Sequence, residues 1–155
     1  FTALLRTREK PVTTVYLIRH AEALSREEWS EDDKARPLSE KGEKQALKLA
    51  KALAKSGLSE VRTSPATRCR ETGAPLAAAL KLELKIDDDL FEGGGTLRLR
   101  FAGPDYALCS HGDRIPATLD ELGIKWEKCK KGSVWKLGFD KSGKVVKSDY
   151  LPPQE

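Results

Sequence analysis

Short strand-like runs alternating with helical stretches constrain this chain more than any other feature. Val12 to Ile18 is a seven-residue run of β-branched, aromatic and aliphatic residues, the composition of a strand buried on both faces. Tyr106 to Cys109 is a second such run, and Leu58 to Thr63 and Leu82 to Ile86 are weaker ones. Between them lie segments of helical character. Ser39 is placed to cap a helix over Glu40 to Lys55, where Ala46, Leu49, Ala50, Leu53 and Ala54 form one apolar stripe before Gly57,. Ser64-Pro65 reads as the capped start of a helix reaching about Leu80, with Gly73 and Pro75 as points of break or kink,. A third helix is expected over Arg114 to Leu122. Ser133 to Phe139 and Lys144 to Tyr150, flanking the turn Asp140 to Gly143, form a C-terminal hairpin,. Alternating strands and helices predict an α/β domain over residues 12–153, with a largely parallel sheet and antiparallel strands added by the hairpin. Residues 1–11 are expected to be an N-terminal extension.

Composition narrows the function classes. The 155 residues are 39% hydrophobic and 34% charged, enough apolar material for one core,. No apolar run approaches the roughly 18 residues that a membrane-spanning helix requires, and the first residues lack the order of a signal peptide. A cytoplasmic protein with no membrane partner is expected. Lys and Arg number 28 against 24 Asp and Glu, a balance that favours anionic ligands. The basic run Lys125 to Lys131 has no interleaved aromatic platform or recognised binding motif and reads as a solvated face, which points away from nucleic acid. The acidic stretch Glu27 to Asp33 reads as a solvated loop able to screen anionic substrates. Cys69, Cys109 and Cys129 are odd in number and widely spaced, so neither a disulfide framework nor a metal site is expected.

Both histidines follow strands. In parallel α/β sheets, ligands bind beyond the carboxyl ends of strands, so His20 after Val12 to Ile18 and His111 after Tyr106 to Cys109 are expected to meet at one edge. Arg19-His20 sets a cation beside an imidazole that can act as base or nucleophile. By itself such a pair is more often structural. Arg68, one turn into a helix whose N-terminal N–H groups favour an anion, presents a planar fork suited to phosphate. Ser110-His111-Gly112 completes the set.

The motifs Leu17-Ile18-Arg19-His20-Ala21-Glu22, Ser64-Pro65-x-x-Arg68-x-x-x-Thr72 and Ser110-His111-Gly112 resemble those of the histidine phosphatase superfamily, across about Val12 to Pro153. Three motifs in the right order are far more specific than one. The resemblance implies a three-layer phosphoglycerate mutase-like sandwich with a minimal cap, and catalysis without cofactor or metal. His20 would be the nucleophile that takes the phosphoryl group, and Arg19, Arg68 and His111 would surround it, His111 as a cation. Glu92 is the general acid that the resemblance suggests, with Asp113 and Glu22 as competing carboxylates. Ser110 either adds a hydroxyl contact to phosphate or is a small packing residue. Ala21 stands where the family usually has glycine, which is tolerable if the backbone there keeps a negative φ.

Gly93 to Asp105 is too short a connection for a substantial cap, so an open site is expected, suited to a phosphate displayed on a protein. Size and motif pattern resemble the small SixA-type phosphohistidine phosphatases. The runs Lys131 to Trp135 and Asp149 to Pro153 also resemble the histidine phosphatase domain that follows a Nudix domain in some actinobacterial MutT-like proteins. That second relation implies nucleoside di- or polyphosphates as substrates and a Nudix domain as neighbour. A non-catalytic phosphate-binding module is the remaining alternative.

Overall fold

A computed structural model describes residues 10–155. Of the expected extension, all but Lys10 and Pro11 lies outside the described residues. Nine elements follow in order: β1 (Thr13–Arg19), α1 (Glu40–Ala52), β2 (Glu60–Thr63), α2 (Thr67–Ala79), β3 (Leu84–Ile86), β4 (Tyr106–Ser110), α3 (Arg114–Glu121), β5 (Val134–Phe139) and β6 (Val145–Leu151). Short 3₁₀ turns occupy Asp33–Ala35 and Asp88–Leu90.

The strands form a single sheet in the order β3-β2-β4-β1-β5-β6. β3, β2, β4 and β1 pair in parallel, and β5 and β6 add two antiparallel strands. Side chains alternate across the pleat, so β1 supplies both cores. Tyr16 and Ile18 point to one face and pack with Leu49 of α1, with Leu53 just after it and with Leu76 of α2. Val15 and Leu17 point to the other and pack with Ile115 and Leu119 of α3 and with Leu137 and Phe139. This is the expected three-layer arrangement, with two helices on one face and one on the other.

Local chemistry explains where elements begin and end. Ser39 Oγ accepts the Gly42 N–H at 3.1 Å and caps α1 as expected, but the helix stops at Ala52, three residues short of Lys55. Ser64 does not cap α2. The N-cap is Ala66, without a side-chain bond, because the Ser64 hydroxyl serves His111 and the Ala66 N–H. α2 runs through Gly73 and Pro75 unbroken. It ends in a Schellman turn, with Leu82 N–H donating to the Ala77 carbonyl and Lys81 N–H to the Ala78 carbonyl,. Lys81 takes the left-handed position at φ 57. That turn consumes Leu82, so β3 starts at Leu84. Between Gly93 and Asp105 there is neither helix nor strand, and no cap covers the sheet edge.

Candidate active site

Arg19 ends β1, and His20 follows it in a backbone clamp. The His20 N–H donates to the Ser110 carbonyl at 3.1 Å, and the His20 carbonyl accepts the Gly132 N–H at 2.9 Å. Ala21 comes next, and the only described non-glycine with positive φ is Lys81, so no glycine is required there. The Ala21 N–H donates to Thr72 Oγ1 at 2.9 Å, and that hydroxyl donates to the Arg68 carbonyl at 2.7 Å. Thr72 of the second motif therefore ties the loop after His20 to the helix that carries Arg68.

The His20 ring is 6% exposed. Nδ1–H donates to the Ala21 carbonyl at 2.8 Å, which leaves Nε2 without a proton. Burial, opposed by that hydrogen bond and assisted by Arg68, His111 and Arg19, lowers the His20 pKa from 6.5 to about 3,. The ring is thus a neutral imidazole with one basic nitrogen. His111 lies edge-on to it with centroids 5.6 Å apart, so the two strand ends do meet. Burial and then Arg68 lower His111 to about 4, against the pull of Glu92 and Asp113. In the protein alone, burial thus favours the neutral form of His111, whereas the sequence reading allows it to work as a cation,.

The arginines are held from behind. Arg19 Nη1 donates to the Cys129 carbonyl at 2.6 Å, and its guanidinium lies against Gly112, where a Cβ would come within 2.5 Å of Cζ. The glycine of Ser-His-Gly is thereby explained by Arg19. Arg68, 2% exposed, donates through Nη1 to the Asp33 carbonyl at 2.9 Å and through Nη2 to Glu92 Oε1 at 2.8 Å. The Nε atoms of Arg19 and Arg68 are both buried with no hydrogen-bond partner. Unsatisfied guanidinium donors in one pocket are the mark of an anion site.

A cavity of about 810 Å³ opens over these groups, lined by Arg19, His20, Arg68, His111 and Glu92, with Glu22 and Asp113 also on its wall. The three carboxylates differ in their engagements. Glu22 Oε2 accepts from Ser39 Oγ at 2.7 Å, Asp113 Oδ2 accepts the Gly93 N–H at 2.7 Å, and Glu92 pairs with Arg68. Ser110 does not reach the cavity. It is fully buried, and its hydroxyl donates to the Leu90 carbonyl at 2.7 Å, so its role here is to hold the Glu92 loop. Arg114 holds the same loop, with hydrogen bonds to the carbonyls of Asp89, Phe91, Gly95 and Thr96. Buried Cys69 lies 3.5 Å from His111 Nε2, and burial pushes its thiol up to about 12. No described group of three His, Cys, Asp or Glu residues could hold a metal ion.

Sequence reasoning missed four contributors. Asp33 and Cys129 lie in charged runs read as solvated, yet one pins Arg68 and the other Arg19. Lys131, of the same basic run, lines the cavity. Ser64 Oγ lies 2.8 Å from His111 Nε2, a contact that the Ser-Pro helix-start pattern conceals.

Comparison with known proteins agrees with this geometry. Residues 15–98 match the histidine phosphatase superfamily (branch 1). An 8-oxo-(d)GTP phosphatase of Mycolicibacterium smegmatis is 30% identical over 170 residues, covering 98% of this chain and 52% of that protein. The chain thus spans about half the length of this relative. The protein histidine phosphatase SixA, solved with tungstate, shares the fold with a TM-score of 0.75 at 18% identity, over 90% of this chain and 97% of that one. A mycobacterial glucosyl-3-phosphoglycerate phosphatase solved with VO3 gives 0.67 at 15% identity, over 88% and 96%.

Proposed function

Because the chain belongs to branch 1 of the histidine phosphatase superfamily, we propose that it is a phosphatase working through a phosphohistidine on His20. The observation that carries this reading is the neutral His20 ring, Nδ1–H bound to the Ala21 carbonyl and Nε2 free. Nε2 attacks phosphorus in line, and the bond to the leaving oxygen breaks. Arg19, Arg68 and His111 carry the charge that spreads over the three equatorial oxygens. Glu92, on the cavity wall, takes a proton from solvent once substrate phosphate engages Arg68 and gives it to the leaving oxygen. Water then attacks the phosphohistidine, returns a proton to Glu92 and releases orthophosphate. No step calls on a cofactor or metal.

For the substrate, a small molecule with linked phosphates is the better-supported class. The relative at 30% identity spans nearly the whole chain and is an 8-oxo-(d)GTP phosphatase, and a cavity of about 810 Å³ accommodates a nucleotide,. These observations support the nucleotide reading over the phosphoprotein reading that the sequence motifs suggest first. The lack of a cap between Gly93 and Asp105 still favours the phosphoprotein as second reading, because a protein side chain can reach an open site. No described helix is long and apolar enough to cross a membrane.

The test is turnover with EDTA present on p-nitrophenyl phosphate, a nucleoside diphosphate and triphosphate, and a phosphohistidine protein. Wild type is expected to release phosphate fastest from the nucleotides, and His20→Ala to release none while remaining folded. Near-wild-type turnover by His20→Ala would sink the covalent mechanism. Preference for the phosphohistidine protein would reverse the order of substrates.

A further inference from the structure

Arg36 is only 8% exposed, lines the cavity and has no part in the chemistry above. Burying a guanidinium is costly unless it is paired and hydrogen-bonded, so its surroundings merit inspection. Nε donates to Asp33 Oδ1 at 2.9 Å and Nη1 to the Leu24 carbonyl at 2.7 Å. These two bonds fix the plane of the fork. Among the described residues Nη2 has no hydrogen-bond partner.

The same Asp33 carboxylate lies beside Arg68. Asp33 Oδ2 is 3.6 Å from Arg68 Nη2, and Arg26 Nε approaches Oδ1 at 3.4 Å. One carboxylate therefore gathers three guanidiniums and makes Arg36 the neighbour of Arg68 on the cavity wall. Asp33 and Glu92 offset two of these three charges, and Lys131, which makes no ion pair among the described residues, adds another cation to the lining. Glu22, Glu28 and Asp113 also line the cavity and keep their charge, their carboxylates held by Ser39 Oγ, the Ser25 N–H and the Gly93 N–H.

We propose that Arg36, with Arg26 and Lys131 at the rim, forms a second anion subsite that holds the phosphate adjoining the one transferred to His20. The preferred substrate then carries at least two linked phosphates, its terminal phosphate beside His20 and the next one on Arg36. This rests on the reading of His20 as phosphoryl acceptor. An arginine fork fixed in plane binds two phosphate oxygens at once, which a lysine cannot do.

Calorimetry with orthophosphate and with methylenediphosphonate, whose P–C–P bridge resists cleavage, tests the subsite in EDTA. Wild type is expected to bind methylenediphosphonate at least about tenfold more tightly than orthophosphate. That gap is expected to shrink to roughly threefold or less in Arg36→Lys, and likewise in Arg26→Ala/Lys131→Ala, whose two exposed positions bear little on folding. Equal affinities in wild type, or a gap that survives in the double variant, would overturn the proposal. The two readings fail separately. Turnover that persists in His20→Ala removes the phosphoryl-acceptor reading and leaves a diphosphonate gap to stand alone, whereas His20-dependent turnover without a gap removes only the subsite.

Discussion

His20 performs its proposed role by being unable to hold a proton. Its pKa of about 3, and that of about 4 for His111, compare with an ordinary 6.5 in the unfolded chain. Above about pH 6.5 both rings are neutral in both states and folding loses nothing. As the pH falls below 6.5 the unfolded chain binds protons that the folded site refuses, so stability drops progressively toward pH 4 and pH 3. Urea midpoints at pH 7.5, 5.5 and 4.5 are expected to fall in wild type and to fall less in His20→Ala; identical slopes would mean that His20 is not held neutral. In the sequence, the site was legible wherever chemistry and spacing coincide. Arg19, His20, Arg68, His111 and Glu92 all line one cavity. Ser110 was left open between a phosphate contact and a packing residue, because its place at the end of β4 says nothing of where its hydroxyl turns. Asp33, Arg36 and Cys129 were illegible for another reason. They lie outside the strands and α-helices, where no period in the sequence tells where a carbonyl or a side chain will sit.

Helices and strands were legible because apolar periodicity reports a face, while their ends were set by individual hydrogen bonds. α1 was readable from its stripe and Ser39, but α2 began three residues after Ser64 because that hydroxyl found His111 instead. Pro75 suggested a break that packing overrode, with Leu76 and Ala77 in the core. The end of α2 carries an unrelieved strain. Lys81 occupies a left-handed position, φ 57, that glycine adopts without clash. Lys81→Gly is therefore expected to raise stability by about 1 kcal/mol, read as a higher urea midpoint with an unchanged slope. A lower midpoint would show that the Lys81 side chain contributes more than its backbone conformation costs. The Glu92 loop shows the opposite design. It has no regular structure of its own, and Arg114 takes up its carbonyls one after another, so a helix side chain supplies the order that the glycine-rich sequence lacks.

In the whole molecule, the sheet gathers the site from widely separated parts of the chain: residue 19 from the end of β1 and 20 just after it, 68 from α2, 92 from a loop and 111 just after β4. An anion that bridges them links these parts in the folded state alone. Vanadate at about one hundred times its Kd is expected to add ~2.7 kcal/mol and raise Tm by roughly 5 to 10 °C; an unchanged Tm would mean that the two orphaned guanidinium donors do not serve one anion. The mostly parallel sheet with an antiparallel hairpin was predictable from the alternation of elements, and the strand order was not, since periodicity identifies faces and not neighbours. That order has a consequence for the chain as it is made. β1 is synthesised before the other strands of the sheet, yet it lies between β4 and β5, so as the ribosome extends the chain the strand that leads into His20 waits for partners made after it. Until Val134 to Phe139 has left the exit tunnel, one side of β1 is an unpaired edge, the kind of surface that invites chaperones or aggregation.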